Sequence, residues 1–281
     1  MKKIIVLLIT LAVSAFAVSA QKLEVKDIVA RHLASVMSPE QKVKVTNLTA
    51  VGETTYVQVS NHQREYTGKS VLVSDGKKTA LAIAFPLQDY PFERVMFDGR
   101  KATFPFIRPG VRSPLGNFLY TQDEVVKEGL FGGVLSTGWF LNFPDEKKGT
   151  LSVEGTKKLD GKDVQVLSYT TKSGSGLGVK MFFDAATGRH VRTVYRRKTT
   201  QSMARSPELS AASSNDIIEE MTEDFGDFKT EAGVTLPTSY KIRVAQAFGA
   251  NLHEFTYAMK VTTFYYNQKL DASTFDVQAN Y

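Results

Sequence analysis

The four histidines are the first residues to consider for chemistry, because imidazole can act as a general base or as a metal ligand. They are scattered along the chain at His32, His62, His190 and His253. No two of them have the i, i+4 spacing of a helical zinc site, and no Gly-x-Ser-x-Gly nucleophile motif occurs. We therefore expect each histidine to be a surface or packing residue, and we predict that the chain is not an enzyme.

Carboxylates, glycine-rich turns and thiols offer no clearer site. Glu219, Glu220, Glu223 and Asp224 cluster in a strand-like segment without a second, separated pair, so we predict a solvated face. The stretch 155–162 has five residues between its glycines, where a phosphate loop has four. The sequence contains no cysteine, which excludes a thiol nucleophile, a Cys-ligated metal and a lipid-modified N-terminal cysteine. We predict no cofactor and no metal.

The densest basic stretch, residues 189–198, places basic side chains mostly at even positions and Val191, Thr193 and Tyr195 at odd ones. This period of two is typical of a strand with one wet face. The net charge of +6 is modest for 281 residues. We therefore expect a solvated strand face rather than a nucleic-acid surface, and we predict no nucleic-acid partner.

The first twenty residues have the pattern of a cleavable secretory signal. Met1-Lys2-Lys3 precedes an apolar run from Ile4 to Val18, and small residues lead to Ala20. The run is shorter than the roughly 20 residues that span a bilayer as a helix, although an uncleaved anchor is the alternative. We predict a signal peptide over 1–20 and a single domain over 21–281, soluble, monomeric and periplasmic.

Two helices are expected directly after the signal. Apolar residues over 24–37 recur at helical spacing, which predicts one amphipathic helix. Ser38 followed by Pro39 and Gln41 has the pattern of an N-cap, with proline in the first helical position, and predicts a short second helix.

The rest of the chain has the pattern of an antiparallel β-sheet. Asp75-Gly76, Asp98-Gly99 and Asp160-Gly161 supply the positive φ angles of tight hairpin turns. Between the turns lie β-type runs, which we place at 55–60, 69–74, 79–85, 93–97, 101–106, 150–158, 163–171, 178–184, 189–198, 217–229, 234–245 and 253–266. We predict a mainly β fold with a few helices, in which one large curved sheet forms an open half-barrel.

Two segments interrupt the predicted strands. Thr121-Gln122-Asp123-Glu124 matches a capping box and predicts a glycine-containing helix over 121–136, either a movable lid or a helix that simply packs on the core. Residues 199–215 are rich in Ser and Ala and predict an exposed loop.

Four ordered segments follow the N-terminal helix, the hairpins and the helical insert. They are Leu159-Asp160-Gly161-Lys162-Asp163-Val164, Met181-Phe182-Phe183-Asp184-Ala185-Ala186-Thr187-Gly188-Arg189, Glu223-Asp224-Phe225-Gly226-Asp227-Phe228 with Gly233-Val234-Thr235-Leu236-Pro237, and Leu270-Asp271-Ala272-Ser273-Thr274-Phe275. This set resembles the outer-membrane lipoprotein-sorting (LolA/LolB-like) superfamily over most of residues 22–277. The resemblance implies a helix-capped half-barrel whose apolar cavity takes lipid chains in the periplasm.

An aromatic-rich concave face is favourable only if side chains or a ligand fill it. The leading hypothesis is therefore a carrier or sensor of lipid or lipoprotein acyl chains. Its candidate lining residues, each of which could instead be ordinary core, are Val95, Phe97, Phe104, Phe106, Leu130, Phe131, Trp139, Phe140, Met181, Phe183, Tyr257 and Met259.

The alternative is a protein-interaction or structural module of the cell envelope, with a filled half-barrel and no ligand. Exposed sheet edges or the basic strand with Arg192 and Arg196 would then dock a protein partner. A hydrolytic function would require Asp, His and Ser residues that are distant in sequence to assemble in space.

Overall fold

The computed structural model of the protein describes residues 23–59, 64–143, 146, 149–202, 214–248 and 251–276. The predicted signal peptide, residues 1–20, lies outside the described residues.

Twelve strands form one antiparallel sheet in which consecutive strands pair with each other, except the two edge strands, which follow one another in sequence but do not pair. The order across the sheet is β5-β4-β3-β2-β1-β12-β11-β10-β9-β8-β7-β6, so the first strand pairs with the last and β5 and β6 form the edges. The strands are β1 Asn47–Val59, β2 Arg64–Asp75, β3 Lys78–Ala84, β4 Phe92–Phe97, β5 Ala102–Thr103, β6 Thr150–Leu159, β7 Lys162–Thr170, β8 Gly178–Asp184, β9 His190–Ser202, β10 Ser214–Glu231, β11 Val234–Phe248 and β12 Asn251–Tyr266. The predicted mainly β fold with one open curved sheet is confirmed.

Local turn chemistry explains why the predicted strands lie close to the observed ones. In the β6–β7 hairpin, Asp160 has φ 49° and Gly161 has φ 80°, as a two-residue turn of this hand requires. Three predictions need correction. The first predicted strand, 55–60, begins eight residues after the observed start of β1 at Asn47. The run 101–106 contains only the two-residue strand β5, and strands β9 and β10 extend into the predicted loop 199–215, whose centre, residues 203–213, is outside the described residues.

Both predicted N-terminal helices are present. Helix α1 spans Val25–Val36, and its C-terminal neighbour Met37 forms a β-bridge with Val234 at the start of β11. Helix α2 spans Pro39–Lys44, and the Ser38 hydroxyl accepts a hydrogen bond from the Gln41 N–H at 3.3 Å. The cap satisfies one of the free N–H groups at the helix start.

The predicted single helix over 121–136 is wrong. The segment between β5 and β6 contains α3, Pro114–Thr121, then α4, Glu124–Lys127, and two short 3-10 helices, Gly133–Leu135 and Phe140–Asn142. The capping box does not form, because the Thr121 hydroxyl donates to the carbonyl of Phe118. Positive φ angles at Gly129, Gly132 and Gly133 then break the helical path.

This segment, residues 104–143, and helix α1 fill the concave face of the half-barrel. Leu115, Phe118, Leu119 and Val125 have no exposed surface, and they belong to the same buried cluster as residues from both halves of the sheet. A sheet of this length exposes a wide apolar face, so the inserted segment supplies the second layer that the fold requires.

Candidate functional site

A cavity of about 530 Å³ lies between the N-terminal helices and the sheet. Its wall combines residues from α1 and α2, the segment 134–143 and the nearby ends of β1, β11 and β12. They are Ala30, His32, Leu33, Ala34, Val36, Met37, Pro39, Lys42, Val45, Thr46, Leu48, Gly76, Val134, Ser136, Thr137, Trp139, Asn142, Phe143, Val234, Leu236 and Tyr266. The volume lies within the range of small-molecule sites, roughly 300–1,000 Å³.

The inner wall is apolar, and the cavity opens to solvent on one side. Leu48, Val234 and Leu236 are buried at its sheet side, whereas Ala34 and Lys42 are exposed at its mouth. Polar groups near the mouth are bonded to the protein itself. Lys42 Nζ donates to the Asn142 carbonyl at 3.1 Å, and Thr137 Oγ1 donates to the Gly76 carbonyl at 2.9 Å.

His32 is the exception in the wall. Its side chain is 1% exposed, and Nδ1 lies 3.1 Å from the carbonyl oxygen of Gly188. A carbonyl can only accept, so Nδ1 carries the hydrogen and Nε2 carries the lone pair. Nε2 has no hydrogen-bond partner within the described part of the chain. Burial lowers the pKa of His32 to about 4, although the Gly188 hydrogen bond opposes the shift, so the ring is neutral at pH 7.

Aromatic rings surround His32 on the inner side. Its ring contacts Trp139 edge-on, with centroids 4.8 Å apart, and lies 5.2 Å from Phe183 and 6.1 Å from His190. His190 Nε2 lies 3.0 Å from the Arg192 carbonyl, and burial, with a smaller contribution from His32, holds the His190 pKa well below its usual range. The two histidines therefore form a neutral, buried pair.

Glu223 anchors the inserted segment to the sheet behind this aromatic cluster. Its carboxyl group accepts hydrogen bonds from Tyr195 Oη at 2.6 Å, from the Gly132 N–H at 2.8 Å and from Tyr240 Oη. Burial raises the pKa of Glu223 to about 7 despite these donors. The predicted solvated face for this carboxylate cluster is therefore wrong at Glu223, which is fully buried.

A second buried carboxyl group, Glu93, lies under the other half of the sheet. It accepts a hydrogen bond from Tyr90, and Tyr90 and Tyr257 hydroxyl oxygens are 2.9 Å apart. Burial raises the Glu93 pKa to about 7, and bonds from Ser113 and Tyr90 oppose the shift. Neither glutamate belongs to the cavity wall.

The structure brings eleven of the twelve predicted lining residues into one buried cluster. Val95, Phe97, Phe104, Leu130, Phe131, Trp139, Phe140, Met181, Phe183, Tyr257 and Met259 share it. Of these, Trp139 also belongs to the wall of the cavity. Phe106 is 46% exposed, with the Arg112 guanidinium 4.2 Å from its ring centre. Contact between any of the twelve and a ligand stays a prediction.

Sequence reasoning missed most of the cavity wall. His32 follows Ile28 by one helical turn, and both are buried, so helical spacing could have placed this histidine on the inner face. The sequence contains no signal for the buried state of His190. Residue Val191 is bulged out of the β8–β9 pairing, where Phe182 pairs with Arg192 and Phe183 with His190. The bulge turns His190 inward, although Thr193 and Tyr195 are buried and Arg196 is exposed as predicted.

Among the described residues, the other candidate sites are not assembled. His62 lies outside the described residues and His253 is exposed on β12. No group of three or more His, Asp or Glu side chains among the described residues could hold a metal ion. Arg192 of the basic strand is paired with Asp224 on β10. No helix in the described ranges is both long and apolar enough to cross a membrane.

Comparison with solved structures finds several chains that are similar over most of their length. The chain is similar to a LolA superfamily protein from Nitrosomonas europaea (TM-score 0.46, 10% identity, covering 92% of this chain and 99% of that one). It is also similar to a DUF1329 family protein from Desulfovibrio piger (TM-score 0.47, 13% identity, covering 91% of this chain and 98% of that one). A third similar structure is described as an outer membrane lipoprotein-sorting protein domain from Vibrio parahaemolyticus (TM-score 0.44, 10% identity, covering 90% of this chain and 95% of that one). No family model matches the sequence, and no curated protein matches it significantly.

Proposed function

We propose that this protein binds lipid or lipoprotein acyl chains in the cavity beside α1, as a carrier or sensor of the cell envelope. The observation that supports the proposal most directly is the cavity itself, about 530 Å³ that the protein's own side chains leave unfilled. Leu33 and Val36 on α1, and Met37 directly after it, line the cavity together with Leu236 and Val134. An apolar surface open to solvent is unfavourable, and an acyl chain would remove it from water.

The way α2 is held also supports entry of a chain from this side. None of its residues is buried. Polar contacts fix it, including Gln41 Nε2 to the Ala232 carbonyl at 3.0 Å and Asn267 Nδ2 to the Lys44 carbonyl at 2.7 Å. An element with little buried apolar surface can shift at low cost. A ligand chain longer than the cavity would leave through the mouth near Lys42.

The test is displacement of an apolar dye, N-phenyl-1-naphthylamine, by palmitic acid. Wild-type protein should bind the dye, and added palmitic acid should displace the dye from it. Leu33→Trp places an indole in the cavity and should lower the affinity for both the dye and palmitic acid at least tenfold. Lys26→Trp, on the same helix outside the cavity wall, is the matched control and should bind as wild type does. Equal binding by the Leu33→Trp variant, folded by circular dichroism, would rule the cavity out as the site.

Delivery to the periplasm is the second part of the proposal and rests on the sequence pattern of residues 1–20. Expression of the full chain in a Gram-negative host should yield a periplasmic protein whose N-terminus is Gln21. An intact N-terminus on membrane-bound protein would favour an uncleaved anchor instead. Native mass spectrometry of the periplasmic fraction would identify any lipid that copurifies.

A further inference from the structure

His32 differs from every other polar residue of the cavity wall. Ser136 Oγ lies 3.0 Å from Thr79 Oγ1, Thr137 Oγ1 donates to Gly76, and Asn142 Nδ2 donates to the Thr137 carbonyl at 3.3 Å. Among the described residues that line the cavity, only His32 has a buried side-chain nitrogen or oxygen without a hydrogen-bond partner. A buried acceptor without a donor is unfavourable by an amount comparable to a lost hydrogen bond, so this atom is suited to a partner that arrives with the ligand.

The ring of His32 is held in a fixed orientation. The turn between β8 and β9 packs against α1, where Arg31 Nη2 donates to the Ala185 carbonyl at 2.6 Å and His32 Nδ1 to the Gly188 carbonyl at 3.1 Å. The Trp139 ring contacts the imidazole from one side. Because Nδ1–H donates to the Gly188 carbonyl, the ring keeps the tautomer with its lone pair on Nε2. The ring therefore does not have to reorient when a ligand binds.

We propose that Nε2 of His32 accepts a hydrogen bond from an uncharged O–H group of the apolar ligand. The ligand class is therefore an aliphatic molecule that carries a neutral donor within the cavity: a long-chain alcohol, a hydroxylated acyl chain or a protonated carboxylic acid. A cationic ammonium group could also donate, but its burial among Val36, Leu48 and Trp139 would be far more costly. The proposal rests on the proposed function and adds the polar selectivity of the same site.

The lowered pKa of His32 agrees with this role. At about 4 it leaves the imidazole neutral, and therefore an acceptor at Nε2, throughout the neutral range. Burial is the main cause, and the neighbouring aromatic rings supply the low-polarity surroundings.

Two probes of nearly equal shape test the proposal, decan-1-ol and 1-methoxydecane. Both present an oxygen at the end of the same chain, but only the alcohol can donate. By calorimetric titration we expect wild-type protein to bind the alcohol roughly three- to tenfold more tightly than the ether, the effect of one buried hydrogen bond. His32→Phe should bind both with equal affinity. His253→Phe, the same change at an exposed position of β12, should keep the wild-type preference.

A nitrogen-15 NMR measurement on wild-type protein does not depend on a variant that folds. The His32 Nε2 resonance should shift when decan-1-ol is added and stay unchanged with the ether. Equal affinities in wild type, or a preference retained by a folded His32→Phe variant, would overturn this inference and leave the proposed function intact. Binding of neither probe would overturn both.

Discussion

The backbone N–H of Gly132 donates a hydrogen bond of 2.8 Å to the carboxyl group of Glu223, which is fully buried on β10. Gly132 has φ 78°, a left-handed conformation that glycine adopts without strain. This contact joins the inserted segment to the sheet directly behind the aromatic rings that support His32. Its strength depends on the protonation of a carboxyl group whose pKa is about 7.

Glu223 should make stability depend on pH. Its folded pKa of about 7 exceeds the ordinary 4.5, so the stabilisation is fully present below pH 4.5 and is lost as pH rises through 7. Glu223→Gln mimics the protonated form at every pH. Relative to wild type, the variant should gain about 2–3 kcal/mol in free energy of unfolding between pH 5 and pH 8, measured by urea denaturation. Glu220→Gln, on a half-buried neighbour, should give a constant difference.

His32 should make the free energy of unfolding fall as the pH is lowered, the opposite of the effect of Glu223. Its folded pKa of about 4 lies below the ordinary 6.5, so its contribution is present above pH 6.5 and is lost as pH falls through 4. His32→Phe should reduce the loss of unfolding free energy between pH 7 and pH 4.5 by about 2–3 kcal/mol. His253→Phe should leave that loss unchanged, and an unaltered acid slope in His32→Phe would contradict the buried neutral state.

Gly133 should tolerate substitution poorly because of what a side chain would meet. It has φ 45°, and an added Cβ would lie 2.8 Å from Phe225 Cζ and 3.0 Å from His190 Nδ1. Gly174 has φ 65° but open space around it. Both alanine variants should lose about 1 kcal/mol from backbone strain. Gly133→Ala should lose a further 1–3 kcal/mol, roughly, from overpacking, measured by thermal and urea unfolding. Equal losses of unfolding free energy in the two variants would mean that the aromatic rings around Gly133 can move to accommodate the added methyl group.

Alanine substitution should destabilise the protein much more at Phe183, which is in the core, than at Phe106, which is at the surface. Phe183 is fully buried beside His32 and His190. Phe183→Ala should therefore lower the free energy of unfolding by about 3–5 kcal/mol. Phe106 is nearly half exposed under Arg112, so Phe106→Ala should lose only about 1 kcal/mol. A loss of several kcal/mol at Phe106 would indicate that this ring is covered in solution.

The sequence by itself determined the helices α1 and α2 and, to within a few residues at most boundaries, the strands of the sheet. These features depend on interactions between residues close in sequence. Ser38 caps its own helix, Asp160 and Gly161 adopt the angles of their own turn, and alternation sorts each strand into two faces.

The positions of His190 and Glu223 were decided only by the tertiary structure. A bulge at Val191 reverses the face of His190, and the glycines of the inserted segment bring Gly132 to Glu223. The cavity is likewise a space left between α1, α2 and strand ends that are distant in the chain. Its existence depends on how closely those elements pack, which is a property of three-dimensional contacts and not of local propensity.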